Sequence, residues 1–228
     1  MSDDIRERLV AVRQRIEAAA ARSGRPASAV TLVAVSKTMP VEAVREAVAA
    51  GATILGENRV QEAGDKIAAL PGVAEWHLVG HLQTNKAKPA VGLFDCIHSL
   101  DSIRLAQALD RAAAEAGKRL RCLVQVNMGE EAQKSGIAAA EVRPLLEEAA
   151  RLTHLLVEGL MAIPPLLSDP EAVRPFFRRL RELRDVLVRE GASLPHLSMG
   201  MTHDFEVAIE EGATLVRIGT AIFGPRDG

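Results

Sequence analysis

Two periods of apolar residues alternate along the chain. Short, β-branched runs recur at VTLVAVS (30–36), TILG (53–56), EWHLVG (75–80), DCIHS (95–99), RCLVQVN (121–127), LLVEGLMAI (155–163), PHLSMG (195–200) and TLVRIG (214–219). Runs of this length, apolar on both faces, are the pattern of strands buried in a parallel sheet. Between them lie Ala-, Leu- and Glu-rich segments, such as 102–116, 139–153 and 171–190, whose apolar residues return every three or four positions. That spacing predicts amphipathic helices. The last segment opens on SDPE, where Ser168 and Glu171 fit a capping box. Ahead of the first strand, Ile5, Leu9, Val12 and Ile16 repeat at helical spacing until SGRP (23–26), which predicts a further helix over about 3–22.

Eight strand runs alternating with helices in 228 residues predict an α/β chain with one domain over 1–228, a (β/α)8 TIM barrel with an additional N-terminal helix. A doubly wound open sheet is the alternative. Against it, no Gly-rich dinucleotide fingerprint follows the first strand, where SKTMP (36–40) stands instead.

Composition narrows the function. At 48% hydrophobic the chain can bury a large core. A formal net charge of −2, with five Phe, one Trp and no Tyr, supplies neither a basic footprint nor a stacking platform for nucleic acid. The start, MSDDIRERLV, is too charged for a signal peptide, and no later run reaches membrane-spanning length. A cytoplasmic protein without a membrane partner is therefore expected. Cys96 and Cys122 sit in apolar contexts without metal-type spacing, which predicts reduced core thiols.

The chemistry is expected at the carboxyl ends of the strands. Only six of the 28 Lys+Arg residues are lysine, and one of them, Lys37, ends the first strand. A lysine amine can lose its proton when desolvated and attack a carbonyl, which guanidinium cannot do. Residues two apart share a strand face, so Lys37 lies with Val33 and Val35, and Arg217 with Leu215 and Gly219. If those faces point inward, two cations rise side by side from strands 1 and 8. Such a pair lowers a lysine pKa or clamps a planar anion. The loops after strands 7 and 8 read SMGMT and RIGTAIFG. There Gly200 and Gly219 allow close backbone approach, and Ser198, Thr202 and Thr220 add hydroxyls, at the position where such barrels favour phosphate. A phosphate site at one end and an imine-forming lysine at the other describe pyridoxal phosphate.

Other features read as structure. HLVGH (His77, His81) crosses a strand-to-loop junction, which makes a core histidine and a loop histidine rather than a metal pair. FFRRLRELR (176–184) keeps its apolar residues at helical spacing and reads as a solvated helix face. The doublets Glu147–Glu148 and Glu210–Glu211 read as helix surface.

AVSKT, GENRVQE, EWHLVGHLQTNK, KSGI, GLMAIP, LSMGMTHD and VRIGTAIFG together resemble the pyridoxal phosphate homeostasis proteins, a family similar to the alanine racemase N-terminal barrel. The likeness runs from about residue 30 to 226. It implies that Lys37 carries pyridoxal 5'-phosphate as an internal aldimine and that Arg217 faces the pyridine nitrogen. It implies also that Asn58 lies beside the ring, and that Ser198, Thr202, Gly219 and Thr220 hold the phosphate. The chain departs from many members at MTHD, where His203 replaces an acid.

The family is generally regarded as lacking robust catalysis, and the residues agree. An arginine beside the ring nitrogen opposes the pyridinium that makes the cofactor an electron sink. The tyrosine base of alanine racemase has no counterpart, since the chain contains no tyrosine. The expectation is a monomer that buffers the cofactor or delivers it to apo pyridoxal phosphate enzymes; the EEAQKSGI loop, with Lys134, reads equally as a mobile element near the mouth or as a plain exposed loop. The rivals are a racemase or lyase with His81 or another group as second base, and a cofactor-free Schiff-base aldolase.

Overall fold

The computed structural model describes residues 2–129 and 135–225, so Lys134 and most of the EEAQKSGI loop lie outside the described residues. All eight predicted runs form strands: β1 (Thr31–Val35), β2 (Ile54–Glu57), β3 (Glu75–Leu78), β4 (Cys96–Leu100), β5 (Leu120–Gln125), β6 (Leu155–Met161), β7 (His196–Ser198) and β8 (Leu215–Ile218). They pair in parallel, in sequence order, and close into a barrel when β8 pairs with β1, with Val33 opposite Arg217. This is the (β/α)8 architecture. Between the strands run α2 (Val41–Ala49), α3 (Val60–Ala69), α4 (Ala87–Leu93), α5 (Ile103–Glu115), α6 (Val142–Ala149), α7 (Arg174–Arg189) and α8 (Phe205–Glu210), and α9 (Thr220–Phe223) follows β8.

Strand alternation divides the core in two. Leu55, Leu78, Ile97, Val124 and Val216 point outward and join the helices in the larger cluster. Val33, Val35, Cys96, Leu123, Met161 and Leu215 form a small apolar cluster inside the barrel. Polar residues share that interior: His77, His98, Gln125, Ser198 and Arg217 are all buried. Barrels are normally filled with bulky branched side chains. The polar filling is the first departure from that rule, and it lies beneath the strand ends.

The N-terminal helix is present as α1 (Ser2–Arg22), which buries Ile5, Leu9, Val12 and Ile16. Its polar side adds Arg15–Glu206 and Arg22–Glu210 ion pairs to α8. Cys96 and Cys122 are free and buried, as expected. Among the described residues, no helix is long and apolar enough to cross a membrane.

Three local expectations are corrected. The cap before α7 is Asp169, not Ser168: the Asp169 carboxylate accepts from the Glu171 N–H at 2.9 Å, while the Glu171 side chain pairs with Arg174 at 2.7 Å. The 139–153 segment is a 3-10 turn (Ala139–Glu141) followed by α6, which ends at Ala149. The Glu210–Glu211 doublet is not plain surface. Glu211 is buried where the end of α8 meets α7, and it binds Arg174, Arg178 and Arg181 at 3.3, 3.1 and 3.0 Å. Some of the α7 arginines expected to face only water are therefore partners of this carboxylate. Glu147 and Glu148 are exposed, as read.

Candidate functional site

Lys37 lies two residues beyond Val35, the last residue of β1, and the backbone on both sides of it is pinned. On one side Ser36 is fully buried; its hydroxyl donates to Glu57 Oε1 at 2.6 Å, and its carbonyl accepts from Lys66 Nζ at 2.6 Å. On the other side the Thr38 N–H donates to the Glu62 carboxylate. Thr38 has φ 64°, the one positive value at a non-glycine among the described residues. A β-branched residue adopts that conformation only when its surroundings impose it. Lys66 ties the two sides together, since Nζ also reaches Glu57 at 2.7 Å and Glu62 at 2.8 Å. Burial raises the Glu57 pKa, against the opposing pull of Lys66 and Ser36. The Glu62 pKa lies below its usual value, because Lys66 and the Thr38 N–H outweigh the burial that raises it.

Arg217 points into the barrel, as the alternation predicted, and is buried. One guanidinium nitrogen donates to Ser198 Oγ at 2.6 Å and another to the Ala162 carbonyl at 2.9 Å. Burial lowers its pKa to about 10 and nearby Asp204 opposes the shift, so the side chain is cationic at neutral pH. Lys37 and Arg217 both line one cavity of about 370 Å³ over the carboxyl ends of the strands. Asn58, Thr202, Gly219 and Thr220 line it too, and Val35, Val79, Met201, Ile163 and Leu166 give it apolar walls. That volume and mixture are those of a small-molecule site.

The loops around the cavity are held by close backbone approach. Gly200 has φ 90°, and a Cβ there would lie 2.6 Å from the Ala208 Cβ. A Cβ on Gly80 would lie 2.4 Å from the Asn58 carbonyl oxygen, so glycine lets the β3 end pack against the turn that carries Asn58. Asp204 is buried and accepts from the Met201 N–H at 2.7 Å, which closes the turn bearing Thr202. Burial raises the Asp204 pKa, with the Met201 bond and Arg217 opposing.

Of the residues singled out from the sequence, Lys37, Asn58, Thr202, Arg217, Gly219 and Thr220 thus meet around one cavity. Ser198 does not line it. Its hydroxyl is buried, taken up by Arg217 and by His98 Nδ1 at 2.9 Å. It faces the barrel interior because β7 continues through it. His203 sits at the rim and donates to the Ser168 carbonyl at 3.1 Å. His77 is the expected core histidine, and His81 is an exposed loop histidine 3.2 Å from Asp101. Sequence reading missed Lys66, Glu57, Glu62, Asp204 and His98. Lys66 had a signal, as a scarce lysine next to Ile67 on the face that Ala63 buries; His98 had one in sharing the Cys96 strand face.

The chain matches the family of the alanine racemase N-terminal domain over residues 8–227. It is 50% identical over 222 residues to the pyridoxal phosphate homeostasis protein of Aquifex aeolicus, covering 96% of this chain and 97% of that one. It is 43% identical over 232 residues to the Escherichia coli K12 protein of the same name, covering 99% and 98%. Among solved structures, PipY of Synechococcus elongatus with PLP bound superposes with a TM-score of 0.84 at 41% identity, over 96% of this chain and 100% of that one. A closed barrel of this topology, matched end to end at such identity, shows that the chain belongs to the pyridoxal phosphate homeostasis proteins of the alanine racemase N-terminal domain family.

Proposed function

We propose that the protein holds pyridoxal 5'-phosphate reversibly, tethered through Lys37, and buffers or delivers it without turning over a substrate. The observation that carries this reading is the convergence of Lys37, Arg217 and the Thr202 and Gly219–Thr220 loops on one cavity. When bound, the cofactor supplies an aldehyde and an electron-withdrawing ring.

The residues present fit such a group. Lys37 stands where its amine meets an aldehyde, on a backbone pinned by Glu57, Glu62 and Lys66. Thr202, Thr220 and the Gly219 backbone form the anion cradle. There a Cβ on Gly219 would lie 3.1 Å from the Val35 carbonyl oxygen, so a side chain would crowd strand β1. Ser198 is reassigned: it acts through Arg217, not on a phosphate. Asn58 flanks the ring, and Arg217 offers its charge to the ring nitrogen.

That charge discourages a proton on the ring, and no tyrosine is available as a second base. Tethering is therefore the role these residues support. Apo-enzymes that need the cofactor are the partners this reading implies, and a monomer is the form expected to serve them.

The test is borohydride reduction of protein loaded with the cofactor, followed by peptide mapping. The expected result is one modified lysine, Lys37, and a visible absorbance band absent from Lys37→Ala. A colourless protein, or label elsewhere, overturns the reading. Amino-acid racemisation or elimination at about 1 s⁻¹ or faster would instead make it an enzyme.

A further inference from the structure

Arg217 is the upper end of a column of four hydrogen bonds that runs down the barrel interior. Arg217 meets Ser198 Oγ at 2.6 Å, and Ser198 meets His98 Nδ1 at 2.9 Å. His98 Nε2 lies 2.9 Å from His77 Nδ1, and His77 Nε2 lies 2.7 Å from Glu75 Oε1. Glu75 opens β3 at the amino end of the barrel, partly exposed, where Arg121 also binds it.

The two ends fix the direction of every proton between them. Arginine only donates and an ionised carboxylate only accepts. With both rings neutral, His77 donates its Nε2 proton to Glu75, so its Nδ1 accepts from the Nε2 proton of His98. His98 Nδ1 is then an acceptor and takes the Ser198 hydroxyl proton, while Ser198 Oγ accepts from Arg217. Burial lowers the pKa of both rings and so favours their neutral forms, and two neutral histidines in this one tautomer satisfy every contact of the column.

We propose that Glu75, His77 and His98 are positioning residues for Arg217: the one-directional column from the amino end of the barrel locks the guanidinium beneath the ligand cavity. Ser198 alone could satisfy one N–H of Arg217. Without the histidines behind it, however, its hydroxyl is free to rotate and the guanidinium loses a fixed acceptor. The proposal rests on the proposed function only for what lies above Arg217. The histidine tautomers do not depend on it.

The same region offers a competing chemistry. His77, Cys96 and His98 place their ligand atoms within 4.8 Å of one another, a spacing that suits a soft metal ion. Against that, the two facing nitrogens already share one proton at 2.9 Å. The charged and titratable groups around the column are Asp95, Glu158, Arg121, Cys96, Cys122, His196 and Asp204.

The experiment is 15N-resolved imidazole NMR on the full-length protein at pH 7, before and after addition of pyridoxal phosphate. The expected spectrum shows His77 and His98 both neutral with the proton on Nε2. A proton on Nδ1 of either ring, or a cationic ring, overturns the proposal. So does stoichiometric uptake of added zinc that is lost in His98→Gln.

Glu75→Leu removes the terminal acceptor, while Glu75→Gln keeps an acceptor oxygen. The first is expected to disorder the tautomers, shift the absorbance of bound pyridoxal phosphate and weaken its binding about tenfold, the scale of one hydrogen bond to a charged group. The second is expected to restore most of each. Equal tautomers, spectrum and affinity in wild type and Glu75→Leu overturn the proposal. The expected tautomers in a protein that binds no pyridoxal phosphate would support the column and refute the proposed function instead.

Discussion

Replacing Lys66 by methionine tests the clamp around Lys37. The substitution keeps the volume of the α3 side chain and removes one cation from between two carboxylates. Glu57 is fully buried, and its Oε2 already lacks a hydrogen-bond partner, so only the Ser36 hydroxyl remains on it. Breaking a buried pair by removing one partner costs about 3–5 kcal/mol. Glu57 can escape that cost by taking up a proton. From an unfolded pKa of about 4.3, this costs about 3.7 kcal/mol at pH 7 and about 1 kcal/mol at pH 5. The cheaper route sets the deficit.

The sign follows from the direction of the shift. Burial already raises the folded Glu57 pKa, and losing Lys66 raises it further. The variant therefore gains stability relative to wild type as pH falls toward the unfolded carboxyl pKa. For a chain of this size 1 kcal/mol moves Tm by about 2–4 °C. Melting curves should show a deficit of about 7–15 °C at pH 7 that shrinks to about 2–4 °C at pH 5. An equal deficit at both pH values, or one under about 3 °C at pH 7, would refute the claim that Lys66 neutralises a buried charge.

Three further outcomes are expected. Burial holds the His77 pKa at about 4, below an unfolded value of about 6.5, so stability falls as pH drops from 6.5 to 4. Denaturant titrations should find that wild type loses on the order of 3 kcal/mol more over that range than His77→Gln, whose remaining loss comes from buried His98, its pKa also lowered by burial. Gly200→Ala places a methyl 2.6 Å from the Ala208 Cβ at φ 90°, and should cost about 2 kcal/mol or more by urea melts. Lys37→Ala should abolish the borohydride-stable adduct while changing stability by under about 1 kcal/mol, because truncating a side chain that lines the cavity opens little new void.

The strands and helices were legible because each has its own apolar period and because burial on both sides of a parallel strand leaves a run that no surface segment imitates. Lys37 and Arg217 were legible because alternation placed each on a known face. Ser198 was misplaced because SMGMT holds two hydroxyls, and only the end of β7 decides that one turns down to Arg217 and the other up to the cavity. The capping box failed for a similar reason, since Asp169 competes with Ser168 and a one-residue shift in the turn decides which oxygen reaches the N–H.

By itself the sequence determined the barrel, the N-terminal helix and the face on which Lys37 lies, because period and alternation are local properties of the chain. Tertiary structure alone decided what surrounds that lysine and its arginine. Lys66 meets Glu57 across 9 residues, His98 meets Ser198 across 100, and Arg217 reaches the Ala162 carbonyl across 55. Such contacts depend on barrel closure, which brings distant strands side by side in a low-dielectric interior. There a buried charge or donor must find a partner, and no local pattern names which one.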